Sequence, residues 1–435
     1  MKRGTKLLYK KIFAGLLGGG MLFMPNWSYA LPSGGQVVTN NGTITAGGKV
    51  MDITGSGNVA IDWNSFNIAA DEIVNFKNMQ AVLNYVSGGS KSEIFGKLNG
   101  AGVNVFLVNP NGILFGKTAQ VNVGQLTAST RSLEKAALNS FNGSLSPLDA
   151  GGAANVKADI INLGKLKAGK LVLEGNNLSI IGADSLEVAD KSKITLRAGE
   201  NINIGYEVTD KTTIDVGDGK GNTHQVSDYG KGGGDKASDV LSTASVTDLK
   251  GSAKSINDAM LVHDVYELQA IDRNTGTING SSYVVGNYML AGDIDAGDTK
   301  NWNSGRGFDP IGRLNRTGNG VTGSFSGAFD GICHSIQNLY IRQIGNQYDG
   351  YIGLFEGIGK GGSVGNVNMA GGHIEGTSNF GSIAGLNWGT IYNIVNSAEL
   401  VCSSGGVGGI VGTNGGVIRN AVNNGTLKID GRSGG

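Results

Sequence analysis

The sequence predicts an all-β protein built as a β-solenoid, and three observations lead there. Short runs of β-branched and aliphatic residues recur along most of the chain, separated by Asn-Gly, Gly-Gly and similar corners. Glycine is abundant at 75 of 435 residues, while proline is held to 5. A stack of coils needs glycine and asparagine at its corners and excludes proline wherever a ladder requires an N–H. Finally, FGSIAGLNWGTIYNIVN at residues 380–396 realigns with VGGIVGTNGGVIRNAVN at 407–423, a shift of 27 residues. One such coil cannot bury its apolar row alone; a stacked neighbour does it. No Gly-X-Y period is present, which excludes collagen.

Residues 1–30 read as a signal peptide. Lys2, Arg3, Lys6, Lys10 and Lys11 precede an apolar stretch at 12–24, and the small residues Ser28 and Ala30 favour cleavage before Leu31. The apolar stretch falls short of the roughly 20 residues that a spanning helix needs. Charge balances at 35 basic and 35 acidic groups; without residues 1–30 it is 30 against 35, a net −5. A mildly acidic chain without a basic face makes a poor nucleic-acid ligand, so no nucleic-acid partner is expected.

From Leu31 to Ala60, short strands alternate with Asn-Gly and Gly-Gly turns, and the first of them are expected to cap the open end of the stack. Strand signals are densest from Val59 to Thr130. Trp63, Phe66, Phe76, Phe95, Phe106 and Phe115 read there as packed residues. At the centre lies VNVFLVNPNGILFG (103–116), two apolar runs flanking Asn109-Pro110-Asn111-Gly112. Proline fixes one backbone angle and glycine accepts a positive one, so these four residues form a tight turn between strands. RSLEKAALNSF (131–141) breaks the period and fits a short surface helix ended by Asn142-Gly143.

Pulses return at 156–205, with Asn155, Asn176 and Asn203 read as corners. Residues 210–257 are poor in apolar side chains and rich in Gly, Asp, Lys and Ser, the composition of a surface excursion or linker that interrupts the interior ladder. A second unit begins at Ala259. In its repeats Leu354, Ile383 and Ile410 should form one interior ladder, and Val364, Ile391 and Ile418 another. The pattern runs out at Lys428-Ile429-Asp430 without an evident cap.

VFLVNPNGILFG resembles the signature segment of the secretion domain of filamentous-haemagglutinin-type exoproteins, the cargo of bacterial two-partner secretion. DWNSFNI (62–68), VNF (74–76), AVLN (81–84), IFGKL (94–98) and VNVGQLTAS (121–129) follow the same pattern, in order, within residues 31–205. From 259 onward, WNSGRGFDPIG, FSGAFDGICHSIQNLYI and the 27-residue coils resemble glycine-rich GLUG repeats of bacterial surface proteins. The resemblance implies a right-handed parallel β-helix with an N-terminal cap and small extra-helical β elements. It implies a signal peptide (1–30), a two-partner secretion domain (31–205), an excursion or linker (206–258) and a repeat-bearing continuation (259–435). It also implies that Trp63, Asn64, Phe66, Asn84, Asn109, Pro110, Asn111 and Gly112 belong to the secretion motif. The expected partners are the Sec machinery, an outer-membrane TpsB-type β-barrel transporter, and a host-cell or matrix glycan or protein receptor.

No cofactor, metal or catalytic residue is expected. His224, His263, His334 and His373 are scattered one per region. GIGKGG (357–362) lacks the Ser or Thr after lysine that a phosphate loop requires. Asp293, Asp295 and Asp298, like Asp215 and Asp218, offer too few oxygens for calcium and suit turns better. Asp309 and Asp330 are the best candidates for a paired-carboxylate site of the kind found on polysaccharide-cleaving β-helices, yet each sits in a glycine-rich turn motif. The sequence therefore reads as a non-enzymatic, secreted or surface-associated exoprotein, preferably an adhesin. A stalk or truncated form of a contact-dependent toxin protein and a β-helix polysaccharide-degrading enzyme are the alternatives.

Overall fold

The computed structural model describes residues 31–145, 156–215, 221–279, 281–317, 320–343, 350–377, 379–402 and 407–429. The segment read as a signal peptide, and Asn155, lie outside the described residues.

Parallel strands stack coil on coil into a right-handed β-helix. One sheet runs through Asn58–Trp63, Ala81–Val86, Lys97–Val108, Gln120–Ser129, Lys165–Gly175, Ile194–Ala198 and Ser245–Thr247, every pairing parallel. Register places like on like: Val59, Val82, Val105, Leu126, Leu171 and Ile194 form one continuous interior ladder, each at most 1% exposed. A fully buried aliphatic side chain contributes about 1.5–3 kcal/mol, comparable to the ~1–2 kcal/mol that ordering one residue's backbone costs. A single coil therefore does not hold, and the stack does. Gln36–Val37 pairs antiparallel with Asn58–Trp63, and Gly42–Gly47 with Val50–Gly55, covering the open edge of the first coil. The surface helix forms at Lys135–Asn139; its Leu138, with Phe141, shields Phe106, which meets Phe141 edge-to-face at 5.4 Å.

A second parallel sheet spans almost the whole molecule: Ser92–Ile94, Ile113–Phe115, Ile160–Asn162, Leu178–Ile180, Ile202–Tyr206, Asn257–Val262, Asn287–Leu290, Ala328–Asp330, Ser363–Gly365, Thr390–Asn396 and Val417–Asn423. The interior is nonetheless two apolar clusters, one containing Ile204 and the next beginning at Tyr206.

The excursion differs from the expected linker. It contains an antiparallel hairpin, Lys211–Asp215 with Thr223–Ser227, and a short helix, Ala237–Val240. Val226 and Tyr229 bury in the second cluster, Ala237 and Leu241 in the first. Those few apolar residues are spaced to plug both cores, which a composition average hides. The backbone ladder nevertheless runs on, Ile202–Tyr206 pairing directly with Asn257–Val262, while the interior row changes where Ile204 meets Asp258. Asn203 is also no corner. It lies within a strand, buried, and donates to Asp330 at 3.2 Å while accepting from Asn257 at 3.0 Å.

Beyond Asn287 each coil gains further faces, built by the strands Phe355–Ile358, Ala384–Asn387 and Val411–Asn414, and by Tyr340–Gln343, His373–Gly376, Glu399–Cys402 and Leu427–Ile429. Val364, Ile391 and Ile418 are in register, and Leu354, Ile383 and Ile410 follow one another through the backbone bonds Phe355 N–H to Ile383 O and Ile383 N–H to Ile410 O. Leu354, Ile383, Val364 and Ile391 are fully buried; Ile410 is half-buried and Ile418 is 37% exposed. Their coil has no further neighbour among the described residues, so the expectation of an interior ladder does not extend to Ile418.

The repeat corners use asparagine for two purposes. Asn366, Asn393 and Asn420 take φ of 54°, 53° and 52°, a conformation asparagine tolerates better than other side chains. Asn393 and Asn420 also donate to the asparagine 27 residues before them, at 2.8 Å to Asn366 and 3.1 Å to Asn393, while Asn366 donates to Asp330 at 2.8 Å. Bonds of 2.7 Å run the other way at two further positions, Asn387 donating to Asn414 and Asn396 to Asn423.

Candidate functional site

The turn at 109–112 fastens one coil to the previous one. Asn109 is fully buried although it sits in a turn. Its Oδ1 accepts from the Asn111 amide at 2.9 Å, closing a local side-chain turn, and its carbonyl accepts from Gly112 N–H at 3.1 Å. Its Nδ2 donates to Ser90 O and Ser92 Oγ, both at 3.0 Å. Asn111, exposed, donates to Gly88 O at 2.7 Å. Gly112 takes φ +112°, and a Cβ there would lie 3.2 Å from the Asp159 carbonyl of the following coil. Pro110, half-buried, holds the turn's bend.

Trp63, Phe66 and Asn84 form a buried post in the same stack. Trp63 Nε1 donates to Asn84 Oδ1 at 3.1 Å, and the Trp63 and Phe66 rings meet edge-to-face at 5.5 Å. Asn84 occupies a rung between Ile61 and Leu107, where an apolar side chain would leave the indole N–H without that acceptor. Its own Nδ2 donates to Phe106 O at 3.3 Å. Asn64 is exposed at the cap, its N–H donating to Ser33 O at 3.1 Å. The eight residues thus fall into three places: a turn, a buried post and the edge of the cap. Residues missed in the sequence are Ser90, Ser92 and Asp159. They lie one coil away and carry no signature of their own.

The carboxylates singled out in the sequence have separate partners. Asp330, 2% exposed, accepts from Ser179 Oγ at 2.6 Å, Asn203 Nδ2 at 3.2 Å, Asn366 Nδ2 at 2.8 Å and Ile332 N–H at 2.9 Å. Asp309 is bonded through its main chain to the Gln269 amide. Asp295 accepts from the Gly297 amide two residues on, a turn bond, whereas Asp293 accepts from the Ser335 amide 42 residues away, a bond between coils. Among the described residues no group of three or more His, Cys, Asp or Glu is placed to hold a metal ion.

The densest titratable cluster secures the hairpin of the excursion. Burial alone would raise the Glu267 carboxyl, but hydrogen bonds from His263 and Ser227 outweigh it and bring it down to about 2. Glu267 in turn raises His263, against the opposing effect of burial. Tyr229 Oη donates to Leu261 O at 2.9 Å and completes the cluster. Its bonds tie hairpin to helix, with His263 part-exposed at the edge and also facing Glu207 at 3.2 Å.

A stack of parallel coils, clamped one to the next by a turn with a buried asparagine, defines a β-solenoid scaffold. The TPS secretion domain family matches residues 28–294, and the chain belongs to that family; it is a secreted exoprotein of two-partner secretion. It is similar to the heme/hemopexin-binding protein of Haemophilus influenzae, 33% identical over 177 residues, 39% of this chain and 19% of that protein. It is also similar to halomucin of Haloquadratum walsbyi, 28% identical over 282 residues, 64% of this chain and 3% of that protein. The chain thus spans less than a fifth of the length of these two curated relatives. The crystal structure of the HMW1 secretion domain from Haemophilus influenzae aligns over 92% of this chain and 99% of that one at 14% identity, with a TM-score of 0.27, too low for comparison of geometry.

Proposed function

We propose that this chain, delivered across the inner membrane by the Sec machinery, is exported by an outer-membrane TpsB-type transporter that reads the segment around Asn109, Pro110, Asn111 and Gly112. The exported β-helix then serves as an adhesin, released or held at the bacterial outer surface. The observation that carries the reading is the family match over a stretch whose turn is bonded to the coil before it. Trp63, Asn64, Phe66 and Asn84 support that stretch, and the rows Leu354–Ile383–Ile410 and Val364–Ile391–Ile418 extend the stack.

In this reading, residues 31–205 are the secretion unit, 206–258 an excursion, and 259–435 the repeat-bearing continuation. The change of interior cluster between Ile204 and Tyr206 supports that division. Adhesion is supported by the long repetitive surface, which suits a host-cell or matrix glycan or protein as receptor. Co-expression with and without the transporter, followed by binding of the released protein to cells and matrix glycans, tests both halves. Export that ignores the transporter overturns the first; released protein that binds neither cells nor glycans overturns the second.

A further inference from the structure

The second sheet doubles back on itself. Its outward row in the first half of the chain is Leu114, Ile161, Ser179 and Asn203, the rungs alternate to Ile113, Ile160, Leu178 and Ile202 of the first core. Farther on the outward row is Leu261, Met289, Asp330, Gly365, Tyr392 and Arg419. In a flat sheet Ser179 and Asp330 would stand four strands apart, about 19 Å at ~4.8 Å per step. Their side chains instead meet at 2.6 Å.

The two outward faces are packed together. Leu114 and Ile161 cluster with Leu261, Met289, Ile332 and Cys333. Buried Asp330 takes two hydrogen bonds from each half, and Arg419 grips Glu200 through two bonds of 2.8 and 3.1 Å while its guanidinium lies over the Tyr392 ring. A cleft of about 560 Å³ runs along this junction. Ser90, Asn111 and Gly112 form one wall, and Cys333, Asn366 and Asn393 the other. The turn assigned to the transporter therefore faces the repeat-bearing arm of its own chain.

We propose that the repeat-bearing arm, on folding, walls the secretion turn into this cleft, where Asn111 stays open to water but not to a protein domain, so that the transporter engages the turn before closure and loses it afterwards. The proposal rests on the export reading above and gives it a release step. Asn111 lies more than 200 residues ahead of Asp330 in the chain, so the turn and its own coils are complete before the arm that covers them exists. The closing contacts join an apolar cluster around Leu114, Ile161, Leu261 and Met289 to the polar bonds of Asp330 and Arg419, and both are complete only once the arm has folded. No additional factor is needed to end the encounter.

Two native cysteines make closure measurable in the full-length protein. Cys333 lines the junction, whereas Cys402 is fully buried inside the second core and reports unfolding. Ser179→Arg forces a bulky side chain into the buried seam beside Asp330, and Glu200→Arg sets like charges at the clasp. N-ethylmaleimide should alkylate Cys333 at least 10-fold faster in Ser179→Arg, with Cys402 unchanged. Purified periplasmic domains of the transporter should bind that variant at least 10-fold more tightly than wild type. Glu200→Arg should show smaller increases in both, and Glu200→Arg with Arg419→Glu should reverse them.

If Ser179→Arg also exposes Cys402, the surface variant Glu200→Arg decides. Unchanged Cys333 alkylation in the folded variants overturns closure. Faster alkylation with equal transporter binding overturns masking alone. If neither form binds, the export reading falls and masking falls with it, while Cys333 still shows whether the arm closes.

Discussion

Replacing Asn109 with alanine should weaken the molecule at the place where export is read. The substitution removes the Oδ1 acceptor of the Asn111 amide and the Nδ2 donor to Ser90 O and Ser92 Oγ. Ser90 is exposed, so water can replace its lost partner at little cost. Ser92 is fully buried and the Asn111 amide partly so; leaving such groups unpaired costs about 1–3 kcal/mol each. The expected loss is therefore ~2–6 kcal/mol, concentrated in the coils at 88–92 and 109–113. Urea unfolding followed by circular dichroism reads the loss, and hydrogen exchange at Ser92, whose N–H donates to Gly112 O at 3.0 Å, localises it. Export should fall in step. Lys428→Ala, which breaks only an exposed ion pair with Glu399, should leave export unchanged. Equal export of the two variants, or unaltered protection at Ser92, refutes the reasoning.

Three other outcomes are expected. Asn393→Val should destabilise the repeats by ~2–4 kcal/mol, since it breaks the amide ladder and forces a β-branched residue to positive φ; Asn393→Gly should cost less, and equal urea midpoints would contradict the double role of the corner. The hairpin at 211–227 should be held most firmly between about pH 4.5 and 6.5. Glu267 has a depressed folded value of about 2, so its contribution is lost as pH falls from the ordinary carboxylate range toward 2; His263 is raised, so its contribution is full below 6.5 and lost as pH rises through its folded value. Hydrogen exchange of the hairpin, corrected for intrinsic rates and flat from pH 3 to 8, would contradict this. Cys333 and Cys402, buried in different apolar clusters, should both be alkylated in denatured, unreduced protein, and an intact mass lacking two adducts would contradict the coil stacking.

Much of the fold is legible because a solenoid writes its core locally. Val82, Val105 and Leu126 each stand in a recognisable pulse, and like stacks on like. The 27-residue shift likewise placed Val364, Ile391 and Ile418 in one register. Illegible were the contacts that depend on how far one coil lies from another. Trp63 finds Asn84 across 21 residues, Asn109 finds Ser92 across 17, and Ser179 finds Asp330 across 151. Asn203 read as a corner because asparagine marks corners elsewhere. Only the doubled sheet gives an outward, mid-strand asparagine a buried partner. The excursion read as a linker because its few apolar residues, Val226, Tyr229 and Leu241, are diluted by glycine and charge.

The most direct test of the account places a photocrosslinking side chain at Asn111, exposed beside the buried anchor Asn109, and illuminates cells during export. A matched probe at Lys428 is the control. The account predicts a strong adduct between position 111 and the periplasmic domains of the transporter, absent from position 428 and lost when Asn109→Ala is added. Adducts of equal strength from both positions, or none from position 111 while export proceeds, would contradict it.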